Sequence, residues 1–152
     1  MKRWIVTLAG IALFAPAFFL PAVRSPGSGA GSRPMVGWMC AFVAASATGG
    51  IFRASASTIQ GKDVPGIVCL ILSGWVNPLV VFYLFASIWP RMVAIRRVLA
   101  AAILACFIAT WVFLFKAPMI PLIGHYLWVA GALMILAGGI LRRAPAKENN
   151  EL

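Results

Sequence analysis

The chain has 152 residues, 62% hydrophobic and 11% charged, where an ordinary soluble domain carries roughly 25% charged residues. With a mean hydropathy of +0.97 it has too little polar surface to wrap a core, which excludes a water-soluble globule and predicts an all-α, polytopic membrane helical bundle. Thirteen Lys and Arg against three Asp and Glu give a net charge of +10. These cations stand singly or in pairs at the borders of apolar runs, where anionic headgroups attract them, which disfavours nucleic acid as a partner.

Five apolar runs follow one another: Trp4–Val23, Met35–Phe52, Gly66–Trp89, Val98–Phe115 and Leu122–Leu141. A bilayer core of about 30 Å needs roughly 20 helical residues, so the first, third and fifth runs are long enough, and the fourth is short but very apolar. The second contains Gly37, Ser46, Thr48, Gly49 and Gly50, which lower its transfer energy. The first run follows Met1, Lys2 and Arg3, and Ala15-Pro16-Ala17 has the form of a signal-peptidase site. Phe18, Phe19 and Leu20 prolong the apolar stretch beyond it, so an uncleaved anchor is expected. Residues 24–34 (RSPGSGAGSRP) read as a flexible Gly/Ser/Pro linker, and residues 142–152 as a polar tail.

Charge selects the threading. If run two does not span, Lys2, Arg3, Arg91, Arg96, Arg97, Arg142, Arg143 and Lys147 share one side, and Arg24, Arg33, Arg53, Lys62 and Lys116 the other. The richer side belongs to the cytoplasm. This favours four transmembrane helices with both termini cytoplasmic and residues 35–52 as an interfacial or re-entrant helix; five transmembrane helices is the alternative. All of residues 1–152 then form a single membrane domain. Arg91, Arg96, Arg97, Arg142 and Arg143 are expected to touch anionic lipid.

Polar residues inside apolar runs need partners. Ser73 and Asn77 are four apart and share a helical face, and Pro78 frees the carbonyl of Gly74. Together with Trp75 they form a candidate midplane polar site at a kink, or alternatively a structural kink closed by an interhelical hydrogen bond. Small residues recur at Gly37, Ala41, Ala45 and Gly49, and at Ala101, Ala105 and Ala109, two rows that would allow close helix packing. Trp4, Trp89, His125, Tyr126 and Trp128 read as interfacial anchors.

Several chemistries lack their residues. Asp63, Glu148 and Glu151 are the only carboxylates and all lie outside the apolar runs, which argues against a proton-coupled pump, a multidrug exporter of the four-helix kind and carboxylate-based hydrolysis. Cys40, Cys69 and Cys106 have no CxxC spacing and read as buried hydrophobes. Ser73-Gly74 with His125 suggests an intramembrane serine protease, but Ile71 stands where the rhomboid G-x-S-G pattern has glycine. One histidine does not make a metal site. No enzyme, metal or cofactor is therefore expected.

The group Trp75-Val76-Asn77-Pro78, the basic pair Arg96-Arg97 and the stretch Gly124-His125-Tyr126-Leu127-Trp128 resemble small uncharacterised bacterial inner-membrane proteins over Gly66–Leu141. The resemblance implies a four-helix protein of the bacterial inner membrane and carries no known activity. The expected function is non-enzymatic: intramembrane helix packing with a membrane-protein partner or in a homo-oligomer, for instance as an immunity protein against a membrane-inserting toxin. A small oligomeric channel or transporter using Ser73, Asn77 and the kink is the alternative. In the four-span threading, single cysteines replacing Ser28 and Ser55 in a cysteine-free background both react with an impermeant thiol reagent from outside; labelling from opposite sides would require five spans.

Overall fold

The structure is a computed structural model that describes residues 2–24, 34–53, 64–89, 91–117 and 119–140. These described residues form five helices: α1 (Lys2–Ala17), α2 (Gly37–Arg53), α3 (Val64–Ile88), α4 (Val93–Lys116) and α5 (Ile123–Ile140). Three short strands accompany them, β1 (Pro21–Arg24), β2 (Met35–Val36) and β3 (Ile120–Pro121). Proline sets many of these boundaries. Pro65 sits in the first turn of α3, where a missing N–H costs nothing. Pro90 and Pro118 follow α3 and α4 closely in the sequence, as expected for residues that cannot prolong a helix.

Helix lengths correct the expected span count. At 1.5 Å per residue, α3 with 25 residues and α4 with 24 reach about 36 Å and exceed a bilayer core of about 30 Å. Only these two are long and apolar enough to cross a membrane among the described residues, not four. The first apolar run loses its end because the chain leaves the helix after Ala17 through successive turns at Phe18, Phe19 and Leu20, and residues 21–24 become a strand. The last run starts late because residues 120–121 pair with that strand, so α5 has 18 residues.

The three strands form one sheet in the order β2-β1-β3, with both pairings antiparallel. The sequence reading contained no sheet and placed Arg24 in a flexible linker; Arg24 pairs with Ile120, while residues 25–33 lie outside the described part. Leu122 N–H also donates to Ala22 at 2.8 Å, so the entrance to α5 is tied to the exit from α1.

Below the sheet, α1 and α5 run antiparallel in close contact. Thr7 meets Gly138, Gly10 meets Gly131 and Ile135, Phe14 meets Gly131, and Leu20 and Pro21 meet Gly124. Gly124, Gly131 and Gly138 are spaced by seven, nearly two full turns, so they form one stripe, with α1 resting on Gly131 and Gly138 and the segment just after α1 on Gly124. The row expected along α2 and α4 does not serve this purpose. Ala45, Ala101 and Ala105 are exposed and Gly49 faces open space, whereas Gly37 is pressed on Ala17 and Ala109 is buried.

The core joins α3, α4 and α5 through Val76, Val80, Tyr83, Ile103, Phe107 and Ile135. On α4 the buried stripe is Arg96, Ala100, Ile103, Phe107, Thr110 and Leu114, spaced by three and four as one helical face requires. Arg96, 7% exposed, begins that stripe and is thus not the lipid-facing residue expected. Arg91 and Arg97 are exposed; Arg142 and Arg143 lie outside the described residues. The opposite faces carry exposed Leu72, Trp75, Phe82 and Phe85 on α3 and Val98, Leu104, Ile108 and Phe115 on α4, an apolar extent that a monomer in water rarely leaves open.

A methyl group at Gly131 would lie 2.6 Å from the Phe14 nitrogen. Gly131→Ala therefore forces α1 and α5 apart and costs about 1–3 kcal/mol, the usual range for overpacking, read as a fall in unfolding temperature in detergent. Gly49→Ala, where nothing lies in the way, leaves stability unchanged or slightly raised.

Candidate functional site

A cavity of about 190 Å³ lies where the sheet, the start of α2 and the inner faces of α3, α4 and α5 meet. Ala22, Val23 and Met35 from the strands, Cys40, Ala41 and Ala44 from α2, and Thr110 and Phe113 from α4 line it. Two backbone devices create the space. Gly74 on α3 lets Ala44 of α2 approach to the distance of a missing side chain, and Gly37 lets α2 begin directly on the turn after α1, with Gly37 N–H donating to Leu20 and Trp38 N–H to Phe18. Residues apolar in sequence thereby border a partly open gap that side chains do not fill.

Polar groups in the wall come from α3, α4 and α5. Trp128 Nε1 donates to Asn77 Oδ1 at 2.8 Å, a bond between two helices that also fixes which way the amide is turned. Ser73 Oγ donates to Leu70 within α3 at 2.7 Å, and Thr110 Oγ1 to Cys106 within α4 at 2.8 Å. These hydroxyls satisfy themselves one turn back along their own helices. Above them sits His125, 6% exposed, in the first turn of α5. Its ring is held edge-on to Trp111 with centroids 5.3 Å apart and lies 5.6 Å from Trp128. His125 Nε2 is buried and has no hydrogen-bond partner.

The residues singled out by sequence divide accordingly. Ser73 and Asn77 share the cavity wall as their spacing requires. Gly74 serves close approach, Trp75 is 47% exposed and turned away, and Pro78 borders a neighbouring apolar groove with Trp38 and Phe14. Trp4, Trp89 and Tyr126 are exposed, as interfacial anchors would be. His125 and Trp128 are not: both face inward, because α5 presents residues 125, 128, 132 and 135 to the bundle and residues 126, 130, 133 and 137 to the outside. That inward stripe of three and four spacings, with Trp128 in it, is the signal that could have revealed the site.

Among the described residues the wall holds no carboxylate and no cation. Cys40 is a nucleophile by type, but burial raises its thiol above the ordinary value, which keeps the unreactive protonated form. All three cysteines are free, and no cluster of three or more metal-ligating side chains occurs among the described residues. What the arrangement can do chemically is hold a neutral, largely apolar molecule.

Comparison with known protein families, with curated proteins and with solved structures finds no match to this chain.

The Asn77–Trp128 bond clamps α3 to α5. Trp128→Phe is expected to destabilise the protein in detergent by about 0.6–1.7 kcal/mol, the range for hydrogen bonds between membrane helices. Asn77→Leu costs more because it leaves the indole N–H unsatisfied. The Asn77→Leu, Trp128→Phe double variant costs less than the sum, which a double-mutant cycle on unfolding temperatures measures.

Proposed function

We propose that this chain is a membrane-embedded helical bundle that binds a small, uncharged, lipophilic molecule in the cavity between its terminal sheet and helices α2 to α5, and that it acts as a binding protein and not as a catalyst. The observation that carries this reading is the cavity itself: about 190 Å³ of partly open space bordered by the sheet and four helices, in a protein with two helices of membrane-crossing length. For scale, one engineered apolar cavity of about 150 Å³ takes up benzene. The wall is mostly apolar with a few convergent polar groups, the usual make-up of a small-molecule site.

The orientation that goes with the proposal places the amino end of α1, the α3–α4 turn with exposed Arg91 and Arg97, and the carboxyl end of α5 on the cytoplasmic side, since cations favour that side. The sheet and the cavity then lie toward the opposite face. A second reading, packing against another copy or a membrane partner, is favoured by Ala101 and Ala105, which stay exposed on α4.

Fluorine NMR of para-fluorotoluene with the protein in lipid nanodiscs tests the first reading. Saturable binding to the native chain is expected, at least tenfold weaker or lost in Ala41→Phe, whose larger ring fills the space. Equal signals from the native chain, Ala41→Phe and empty nanodiscs would overturn it. Under the second reading Ala105→Leu, and not Ala41→Phe, alters assembly.

A further inference from the structure

At the end of the bundle opposite the sheet and the cavity, we infer a binding site for a phosphate monoester, gripped by the Arg96 guanidinium together with the free amides that open α4. The site is independent of the cavity.

Burial without a partner is the first observation. Arg96 is 7% exposed, yet among the described residues its side chain takes part in no hydrogen bond or ion pair. The buried hydroxyls in the last turns of α3 are directed elsewhere, Tyr83 to the Leu136 carbonyl and Ser87 to the Tyr83 carbonyl. Asp63, Glu148 and Glu151 are the only carboxylates of the sequence, and none belongs to the described residues. A guanidinium withdrawn from water with no counter-charge is costly, and an arriving anion offsets that cost. The group is also reachable. Among described side chains the one buried polar atom both closed off and unbonded is His125 Nε2, so the unbonded nitrogens of Arg96 keep access to the surroundings.

The second observation is how α4 starts. Its N-cap residue Met92 makes no side-chain cap bond, and the first turn holds no acidic residue. Arg96 N–H is the first to bond along the helix, to the Met92 carbonyl at 3.0 Å, so the amides of Val93, Ala94 and Ile95 before it have no partner within the helix. This positive end of a 24-residue helix attracts anions and repels cations, yet Arg91, Arg96 and Arg97 all stand there. Helical side chains slant toward the amino end. The buried guanidinium is thereby carried toward the three free amides.

Charge then selects the anion. A guanidinium fork grips a carboxylate or a phosphate through two parallel bonds. Three arginines and a helix amino end, with no carboxylate among them, match a dianion better than a single negative charge. A phosphate monoester carries nearly two charges at neutral pH and three strong acceptor oxygens, enough for the fork and the amides together. A lipid headgroup of that kind and inorganic phosphate present the same group.

The test is calorimetric titration of the full chain in a maltoside detergent at about pH 8, where a phosphate monoester is dianionic. The probes are dihexanoyl phosphatidic acid, inorganic phosphate and, as the phosphodiester control, dihexanoyl phosphatidylcholine. Saturable binding of the phosphatidic acid or of inorganic phosphate is expected, and none of the phosphatidylcholine. Tighter binding of the lipid identifies a headgroup as the source; equal or weaker binding identifies soluble phosphate. Arg96→Met weakens binding about tenfold or more, the loss of a charge-assisted fork, whereas Arg91→Gln costs about two- to threefold, as a solvated charge does. Since Arg96→Met keeps the stem and removes an unpaired buried cation, its unfolding temperature without ligand stays level or rises. Replacing both Glu148 and Glu151 by Gln leaves affinity unchanged. Four results overturn the inference: binding of neither phosphate probe, equal losses in Arg91→Gln and Arg96→Met, a lowered unfolding temperature or failure to fold in Arg96→Met, which would show a structural partner, and about tenfold tighter binding in the double Glu variant, which would make the chain's own carboxylates the occupant.

Discussion

Close contact between α1 and α5 is the constraint on which the arrangement depends. Two helices whose surfaces are equally apolar inside and out gain little by hiding side chains from their surroundings, so their association must come from dispersion at short range. Glycine at 124, 131 and 138 brings the α1 backbone within that range. Once the helices touch along this length, the segments leaving α1 and entering α5 are brought together, and β1 and β3 pair. The strands then supply Ala22 and Val23 to the cavity wall, and the start of α5 holds His125 inward. A stripe with no side chains of its own thus positions the only imidazole in the sequence.

Polar satisfaction gives the rest of the logic. Thr48, Ser73, Ser87 and Thr110 each return their hydroxyl to a carbonyl of their own helix. The Tyr83 hydroxyl and the Trp128 indole N–H connect α3 with α5, donating to the Leu136 carbonyl and the Asn77 amide oxygen. With so few polar groups and such consistent pairing, an exception carries weight. His125 Nε2 is that exception among the described side chains, packed over within a residue that borders the cavity.

Much of the helical framework was legible because long apolar runs bounded by proline and charge leave little choice. Residues 64–88 and 93–116 form helices where runs three and four stood, α4 extending beyond its run by a turn that includes Arg96. Strands of two and four residues carry no periodic signal, and Pro21-Ala22-Val23 reads as a continuation of the preceding apolar run until β3 is present to pair with it. The small-residue rows were sought at intervals of four in α2 and α4, where alanine is plentiful; the stripe in use has an interval of seven in α5 and consists of glycine. At the site, Ser73 and Asn77 were found from spacing alone. His125 and Trp128 were assigned to the surface because aromatic residues near a helix end ordinarily sit there, and only the rotation of α5, set by its glycines, turns them inward.

The pairing of β1 with β3 also bears on how the polypeptide is made. Strand residues 23 and 24 find partners at 121 and 120, and α1 rests on a helix that leaves the ribosome after α2, α3 and α4. During synthesis the amino-terminal segment must wait, lacking its mate, while α2, α3 and α4 emerge and the α3–α4 hairpin assembles locally. Closure of such sequence-distant contacts is slow relative to local pairing. The cavity therefore comes into being only once α5 has joined α1 and the α3–α4 pair.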